Sequence, residues 1–132
     1  MCWDLIKGVA FLHEHLFAHR DIKPSNFVVD EHLCLKIIDF DVAVQLKDEN
    51  EEVDDLCGTN NWIAPEIEQE AIKYSPIKSD RWACGHVINH FLQVSGRQDE
   101  VLSRIAEQLE AYDPNLRPSL LEYREWELGL TP

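Results

Sequence analysis

Trp3, Ile6, Val9, Ala10, His13 and Leu16 recur at helical steps, which predicts an amphipathic helix from about Trp3 to His15. Gly8 sits inside it and lowers its intrinsic propensity. A loop is expected from His19 to Asn26, where Pro24 forbids helix. Phe27-Val28-Val29 and Leu33 to Ile38 read as two short strands, joined by a turn at Asp30-Glu31-His32. Six of the eight residues from Asp48 to Asp55 are acidic, a density that cannot be buried, so the reading there is a solvated loop. Pro65 and Pro76 interrupt the following stretch. Ser79 offers an N-cap, with Asp80 at the positive end of a helix running from Arg81 to Val94. Trp82, Val87, Ile88, Phe91 and Leu92 make that helix the central, buried one. After Ser95-Gly96, the positions Val101, Leu102, Ile105, Ala106, Leu109 and Tyr112 give another helical period up to Asp113-Pro114, and Leu120 to Leu128 fits a last short helix. The fold class is therefore mainly α with a small β-hairpin (α+β), as one domain over residues 1–132.

Composition narrows the function classes. The hydrophobic share of 45% and charged share of 28% are those of an ordinary globular chain. A net charge of −13 excludes nucleic acid, whose phosphates need a basic footprint, and opposes docking on an anionic membrane. No apolar run reaches the ~20 residues of a membrane span, and no basic segment leads into an apolar one at Met1. Cys2, Cys34, Cys57 and Cys84 form no Cys-x-x-Cys pair, so reduced and mostly buried thiols are expected, in an intracellular and cytoplasmic setting.

Asp21, Asn26 and Asp39 are the polar residues that carry chemistry. Asp21 and Asn26 stand five apart on a loop just before one strand, and Asp39 directly follows the next, so a tight hairpin brings Asp39 alongside Asn26. An Asp and an Asn on convergent loops are hard oxygen ligands suited to Mg²⁺, which completes its octahedron with phosphate and water. Lys23 places a positive charge where a transferring phosphoryl group needs one. His86 and His90 have the spacing of paired zinc ligands but no accompanying cluster, and read as core histidines. His13 and His15 read as helix-end residues, and the four tryptophans as packing residues.

His19-Arg20-Asp21-Ile22-Lys23-Pro24-Ser25-Asn26 resembles the catalytic loop of protein kinases. Ile38-Asp39-Phe40-Asp41 is similar to their metal-binding Asp-Phe-Gly, and Gly58-Thr59 with Ala64-Pro65-Glu66 to the end of an activation segment. Ser79 to Gly85 resembles the core helix that follows, and Asp113 to Ser119 the closing turn. The five motifs stand in the family's order and cover nearly the whole chain. The resemblance is to the C-terminal lobe of a Ser/Thr kinase, and it implies ATP and Mg²⁺ as cofactors. It implies that Asp21 orients the substrate hydroxyl and accepts its proton, and that Lys23 steadies the γ-phosphoryl group. Asn26 and Asp39 hold the metal and nucleotide, and Thr59 supplies a substrate-platform hydroxyl. Glu66 pairs with Arg117 in a buried ion pair, Asp80 braces the catalytic-loop backbone, and His19 stacks with Phe40. Arg20 is the partner of an activation-segment phosphate.

The chain departs from the pattern in several places. Asp41 stands where the family has Gly, which implies lost backbone freedom around Asp39. No Gly-rich phosphate loop and no strand lysine precede Met1, so the N-terminal lobe is absent from this sequence and catalysis by the isolated chain is not expected. Only Ser95 to Glu100 separate the core helix from the next, which removes a docking surface the family uses. From Val42 to Gly58 there is no Ser, Thr or Tyr to phosphorylate. The acidic run is read there as a floppy solvated loop, with a standing negative charge for Arg20 as the alternative.

Three functions remain open. The first is a protein Ser/Thr kinase catalytic region, inactive as an isolated piece. The second is a non-catalytic, kinase-like module that binds a protein through the apolar face, including Val28 and Phe40, left open by the missing lobe. The third is a small-molecule phosphotransferase similar to aminoglycoside and choline kinases, which Asp41 suits and Ala64-Pro65-Glu66 with Arg117 does not.

Overall fold

A computed structural model describes residues 1–123 and 126. Helix α1 covers Cys2–Glu14 and buries Ile6, Val9, Ala10 and His13 of the expected stripe together with Cys2 and Leu5, whereas Trp3 is only partly buried and Leu16 lies beyond the helix end. The chain reverses at Leu16, whose φ of 62° is left-handed. Strand β1 (Phe17–Ala18) leads into the loop that ends in a 3₁₀ turn at Pro24–Asn26. Strands β2 (Phe27–Val29) and β3 (Leu35–Ile37) form the expected antiparallel hairpin, with Phe27 opposite Ile37 and Val29 opposite Leu35. The second strand is shorter than its apolar run because Leu33 turns through φ 63° while Asp30 Oδ1 accepts from the His32 and Cys34 amides.

Strand β4 (Val44–Gln45) pairs antiparallel with β1, a second small sheet that the sequence reading does not contain. Helix α2 is a single turn, Pro65–Glu68. Helix α3 spans Pro76–Ser95, and its N-cap is Ser75 rather than Ser79: the Ser75 hydroxyl accepts from the Lys78 amide at 3.3 Å. Pro76 at the first helical position explains the earlier start, since its fixed φ suits a helix and its missing N–H is not needed there. Gly96 closes α3 in the left-handed conformation. Helix α4 (Glu100–Leu109) follows at once, capped by the Asp99 side chain on the Leu102 amide. It stops short of Tyr112, which is exposed. Leu120–Tyr123 is a 3₁₀ turn rather than the start of the α-helix expected over 120–128, of which residues 124, 125, 127 and 128 lie outside the described residues.

The core lies between α1, α3 and α4, where Leu5, Val9, Val87, Ile88, Ile105 and Leu109 are fully buried. Gly85 sets how closely α4 approaches α3. A Cβ there would stand 2.7 Å from Leu109 Cβ and 3.0 Å from the Ala106 carbonyl. The architecture is mainly helical with two two-stranded sheets, the α+β class expected. All four cysteines are free. Cys2 and Cys84 are buried, whereas Cys34 is exposed and Cys57 half-buried, so "mostly buried" holds for two of them only. No described helix is long and apolar enough to cross a membrane.

Candidate functional site

The loop from His19 to Asn26 hangs on one buried carboxylate of α3. Asp80, 1% exposed, accepts from the His19 amide at 2.8 Å and the Arg20 amide at 2.9 Å. It also accepts from His13 Nε2 at 3.0 Å, which ties α1 to the same atoms. His13, in the last turn of α1 as expected, is thus also a buried partner of Asp80, and its place on the buried stripe of the helix is the sequence signal for that role. Arg20 has φ 72°, so the backbone turns sharply where Asp80 grips it. His19 Nδ1 accepts from the Asp21 amide at 3.1 Å while Nε2 donates to the Ile38 carbonyl at 2.9 Å. One buried ring thus links the loop to the end of the hairpin. Phe40 meets that ring edge-on, 5.0 Å between centroids, and is itself half exposed.

Asp21, Lys23 and Thr59 form a connected set. The Thr59 hydroxyl donates to Asp21 Oδ1 at 2.8 Å and accepts from Lys23 Nζ at 2.7 Å, while Lys23 stands 3.7 Å from Asp21 Oδ2. Gly58 makes the approach possible. It has φ 124°, and a Cβ there would lie 2.4 Å from Ile63 Cγ2 and 3.5 Å from the Arg20 carbonyl. Beside it a cleft of about 240 Å³ is lined by Leu56, Cys57, Gly58, Asn60, Ile63 and Ile67, with Glu68 and Glu70 at its edge.

Asn26 is held by its amide nitrogen, which donates to the Asp21 carbonyl at 2.8 Å and to Asp21 Oδ2 at 3.2 Å. Its backbone carbonyl accepts from the Ile38 amide at 2.9 Å, so the hairpin ladder sets Asp39 one residue beyond the Asn26 pairing. Asp39 is exposed, and its Oδ1 takes the Asp41 amide at 3.3 Å. The donor set suits a hard divalent ion. With its nitrogen bonded to Asp21, Asn26 could offer its oxygen to a divalent ion, and Asp39 could offer a carboxylate. Among the described residues no group of three or more His, Cys, Asp and Glu could hold a metal, so such an ion would draw its remaining ligands from phosphate and water. The left-handed residue of this loop is Asp39 itself, φ 63°, and not Asp41. Asp41 has no positive φ, so this arrangement of the loop does not call for a glycine there.

Glu66 and Arg117 make a two-point ion pair, Nη1 to Oε2 at 2.7 Å and Nη2 to Oε1 at 2.8 Å. Arg117 also donates to the carbonyls of Ala111, Lys78 and Tyr112, which fixes the turn after α4 against α2 and α3. His86 lies between Trp62 and Trp82 and pairs with Glu110 at 3.1 Å, in agreement with a packing role.

The acidic run is exposed, as expected of a solvated loop, and Asp55 within it meets Arg20. Arg20 Nε donates to the Val42 carbonyl at 2.7 Å, and its Nη1 stands 2.9 Å from Asp55 Oδ1. Burial works against the Arg20 charge, but the bonds to Asp55 and Tyr74 outweigh it and raise its pKa. The bond from Arg20 in turn holds the Asp55 carboxyl below the ordinary carboxylate range. Which of the six acids meets Arg20 had no signal in the sequence, because it depends on the tertiary path of the loop.

Set against known proteins, residues 1–111 match the family described as the protein kinase domain. The chain is 40% identical over 87 residues to a serine/threonine-protein kinase of Drosophila melanogaster, grp, covering 64% of this chain and 17% of that protein. It is 39% identical over 89 residues to the serine/threonine-protein kinase PLK4 of Xenopus laevis, covering 67% and 9%. With the dual specificity protein kinase zak2 of Dictyostelium discoideum it shares 37% over 93 residues, covering 64% and 14%. The chain thus spans less than a fifth of the length of these relatives. A match over 111 residues that takes in the braced loop, the hairpin and the Glu66 end of the ion pair places this chain in the protein kinase family.

Proposed function

We propose that residues 1–132 form the C-terminal-lobe portion of a protein Ser/Thr kinase, which transfers the γ-phosphoryl group of ATP to a protein hydroxyl. The observation that carries this reading is the Asp21–Thr59–Lys23 set, held on a loop that Asp80 fixes from beneath. Asp21 Oδ1 already accepts from one hydroxyl at 2.8 Å, the geometry needed to orient an incoming Ser or Thr and take its proton. Lys23, within reach of the same oxygens, steadies the phosphoryl group as charge shifts to it. Asn26 and Asp39 would hold Mg²⁺ with the nucleotide, and the bound ion supplies charge neutralisation on the phosphates. The open cleft beside Thr59, with both apolar and acidic side chains in its lining, could take the residues flanking the acceptor. The Glu66–Arg117 pair anchors α2, whose Ile67 and Glu68 line that cleft, and supports a protein substrate over a small one. The setting proposed is intracellular.

ATP with Mg²⁺ at 100 times its dissociation constant adds about 2.7 kcal/mol of stability, read as a thermal shift. The shift should vanish in Asp39→Asn. Joined behind a nucleotide-gripping lobe, the chain should phosphorylate a Ser peptide, and Asp21→Asn should abolish transfer. With that lobe joined, no thermal shift at any ATP–Mg²⁺ concentration and no transfer to the peptide would reject the reading in favour of a kinase-like binding module. The exposure of Val28, Val29, Ile38 and Phe40 on the hairpin face supports that second reading.

A further inference from the structure

Two arginine side chains are more than nine-tenths buried beneath the acidic run, Arg20 at 8% exposure and Arg81 at 7%. Each meets a carboxylate from that run: Asp55 at 2.9 Å from Arg20, and Glu49 at 3.5 Å from Arg81. A buried cation without an anion is costly, so these carboxylates are not interchangeable surface charge. The backbone is tied at the same two places. Val53 and Tyr74 exchange amide bonds at 2.9 and 3.0 Å, the Tyr74 hydroxyl donates to the Asp55 carbonyl at 2.9 Å, and the Ser75 hydroxyl donates to the Glu49 carbonyl at 3.2 Å.

Arg20 is where three segments meet. Its backbone belongs to the catalytic loop, its Nε holds Val42 just past Asp39, and its Nη1 holds Asp55, four residues before Thr59. Fixing Asp55 therefore fixes the stretch that carries Thr59 to Asp21. Residues 42–57 contain no Ser, Thr or Tyr, so no phosphate can be added to that stretch to do the same work. We propose that Asp55 is a permanent anionic latch: its ion pair with Arg20 holds the segment from 42 to 58 in its working arrangement without phosphorylation. The regulatory meaning rests on the kinase reading above, whereas the latch is a property of the fold.

Hydrogen exchange on the full chain tests it. Asp55→Ala and Asp55→Asn should speed exchange of amides in 42–58 on the order of tenfold, between the effect of a surface pair and that of a buried one. Asp55→Asn keeps the side-chain shape and removes only the charge, so it stands as the test if the alanine variant folds poorly. Glu52→Ala, which changes the same net charge at an exposed position, should leave exchange as it is. Exchange unchanged in Asp55→Asn, or an equal gain in Glu52→Ala, would overturn the proposal. The readout needs no nucleotide, so it stands or falls separately from the ATP–Mg²⁺ test.

Discussion

Asp80→Asn exchanges one oxygen for an NH₂ group and should cost far more than so small a change implies. The carboxylate serves three donors: Oδ2 takes His13 Nε2 and the His19 amide, and Oδ1 takes the Arg20 amide. An amide has an acceptor at one end only. With its oxygen toward His13 and His19, its NH₂ faces the Arg20 N–H. Flipped, the NH₂ faces the His19 N–H, and His13 must shift its ring proton to Nδ1, which is buried with no partner. Either way at least one buried N–H is orphaned, at about 1–3 kcal/mol. The surviving bonds lose charge assistance, about 1 kcal/mol each from the difference between charged and neutral hydrogen bonds. The net loss is about 3–5 kcal/mol.

Urea denaturation reads this as a lower midpoint at unchanged slope, and hydrogen exchange locates it at the His19 and Arg20 amides. A loss below about 1 kcal/mol, or exchange at both amides as slow as in the parent, would refute the reasoning. His13→Gln is the comparison. It leaves both backbone amides capped by Asp80, so it should destabilise less and leave their exchange slow.

Other outcomes follow from single contacts. Glu66→Ala leaves the Arg117 guanidinium, whose side chain is 0% exposed, with carbonyl partners and no counter-charge, and should cost about 3–5 kcal/mol by denaturation; Arg117→Lys in the parent keeps the charge but not the two-point bond, and should be destabilised as well. Gly85→Ala gains about 1 kcal/mol of helix propensity but drives a Cβ against Leu109 and the Ala106 carbonyl, for a net loss of about 1–2 kcal/mol by the same assay; a stabilised variant would contradict the packing of α4. The Asp55 carboxyl, depressed by Arg20, binds its proton more readily in the unfolded chain, so its contribution is present above the ordinary carboxylate range and is lost as pH falls through the folded value. Carboxyl NMR should show Asp55 titrating below the other exposed acids, and returning to their range in Arg20→Gln.

Much of the site was legible because its residues are close in sequence or stand in strong local patterns. The loop from His19 to Asn26, the hairpin after it and the buried stripe of α1 all follow from runs a few residues long. Glu66 with Arg117, and Asp80 with the loop, came through resemblance, and both are present as expected. What escaped is what only tertiary structure decides. Two-residue strands such as Phe17–Ala18 and Val44–Gln45 have no period to detect. Ser75 and Ser79 are equally good caps by type, and only the helical start at Pro76 separates them. His13 showed its position on the stripe but not its partner 67 residues away. At 41 no left-handed φ is taken up; the left-handed residue of that loop is Asp39, two positions earlier, which no residue type in the run announces.

The polar contacts share one support. Asp80 hangs the loop from His19 to Asn26 on α3, Arg81 and Ser75 at its start hold the acidic run through Glu49, and the Lys78 carbonyl takes Arg117 and through it Glu66. All lie at or within the first six residues of a helix whose next turns bury Ala83, Cys84, Val87 and Ile88 in the core shared with α1 and α4. The division has a physical reason. The apolar part of α3 gives rigidity through packing, and its polar start, where the chain enters from the Tyr74 bridge, gives position to three loops that have little core of their own. Any change that shifts this end relative to the packed part moves Asp21, Thr59 and Asp55 together. A substitution at one of its buried polar groups should therefore disturb exchange in all three loops, whereas one in the loops themselves should stay local.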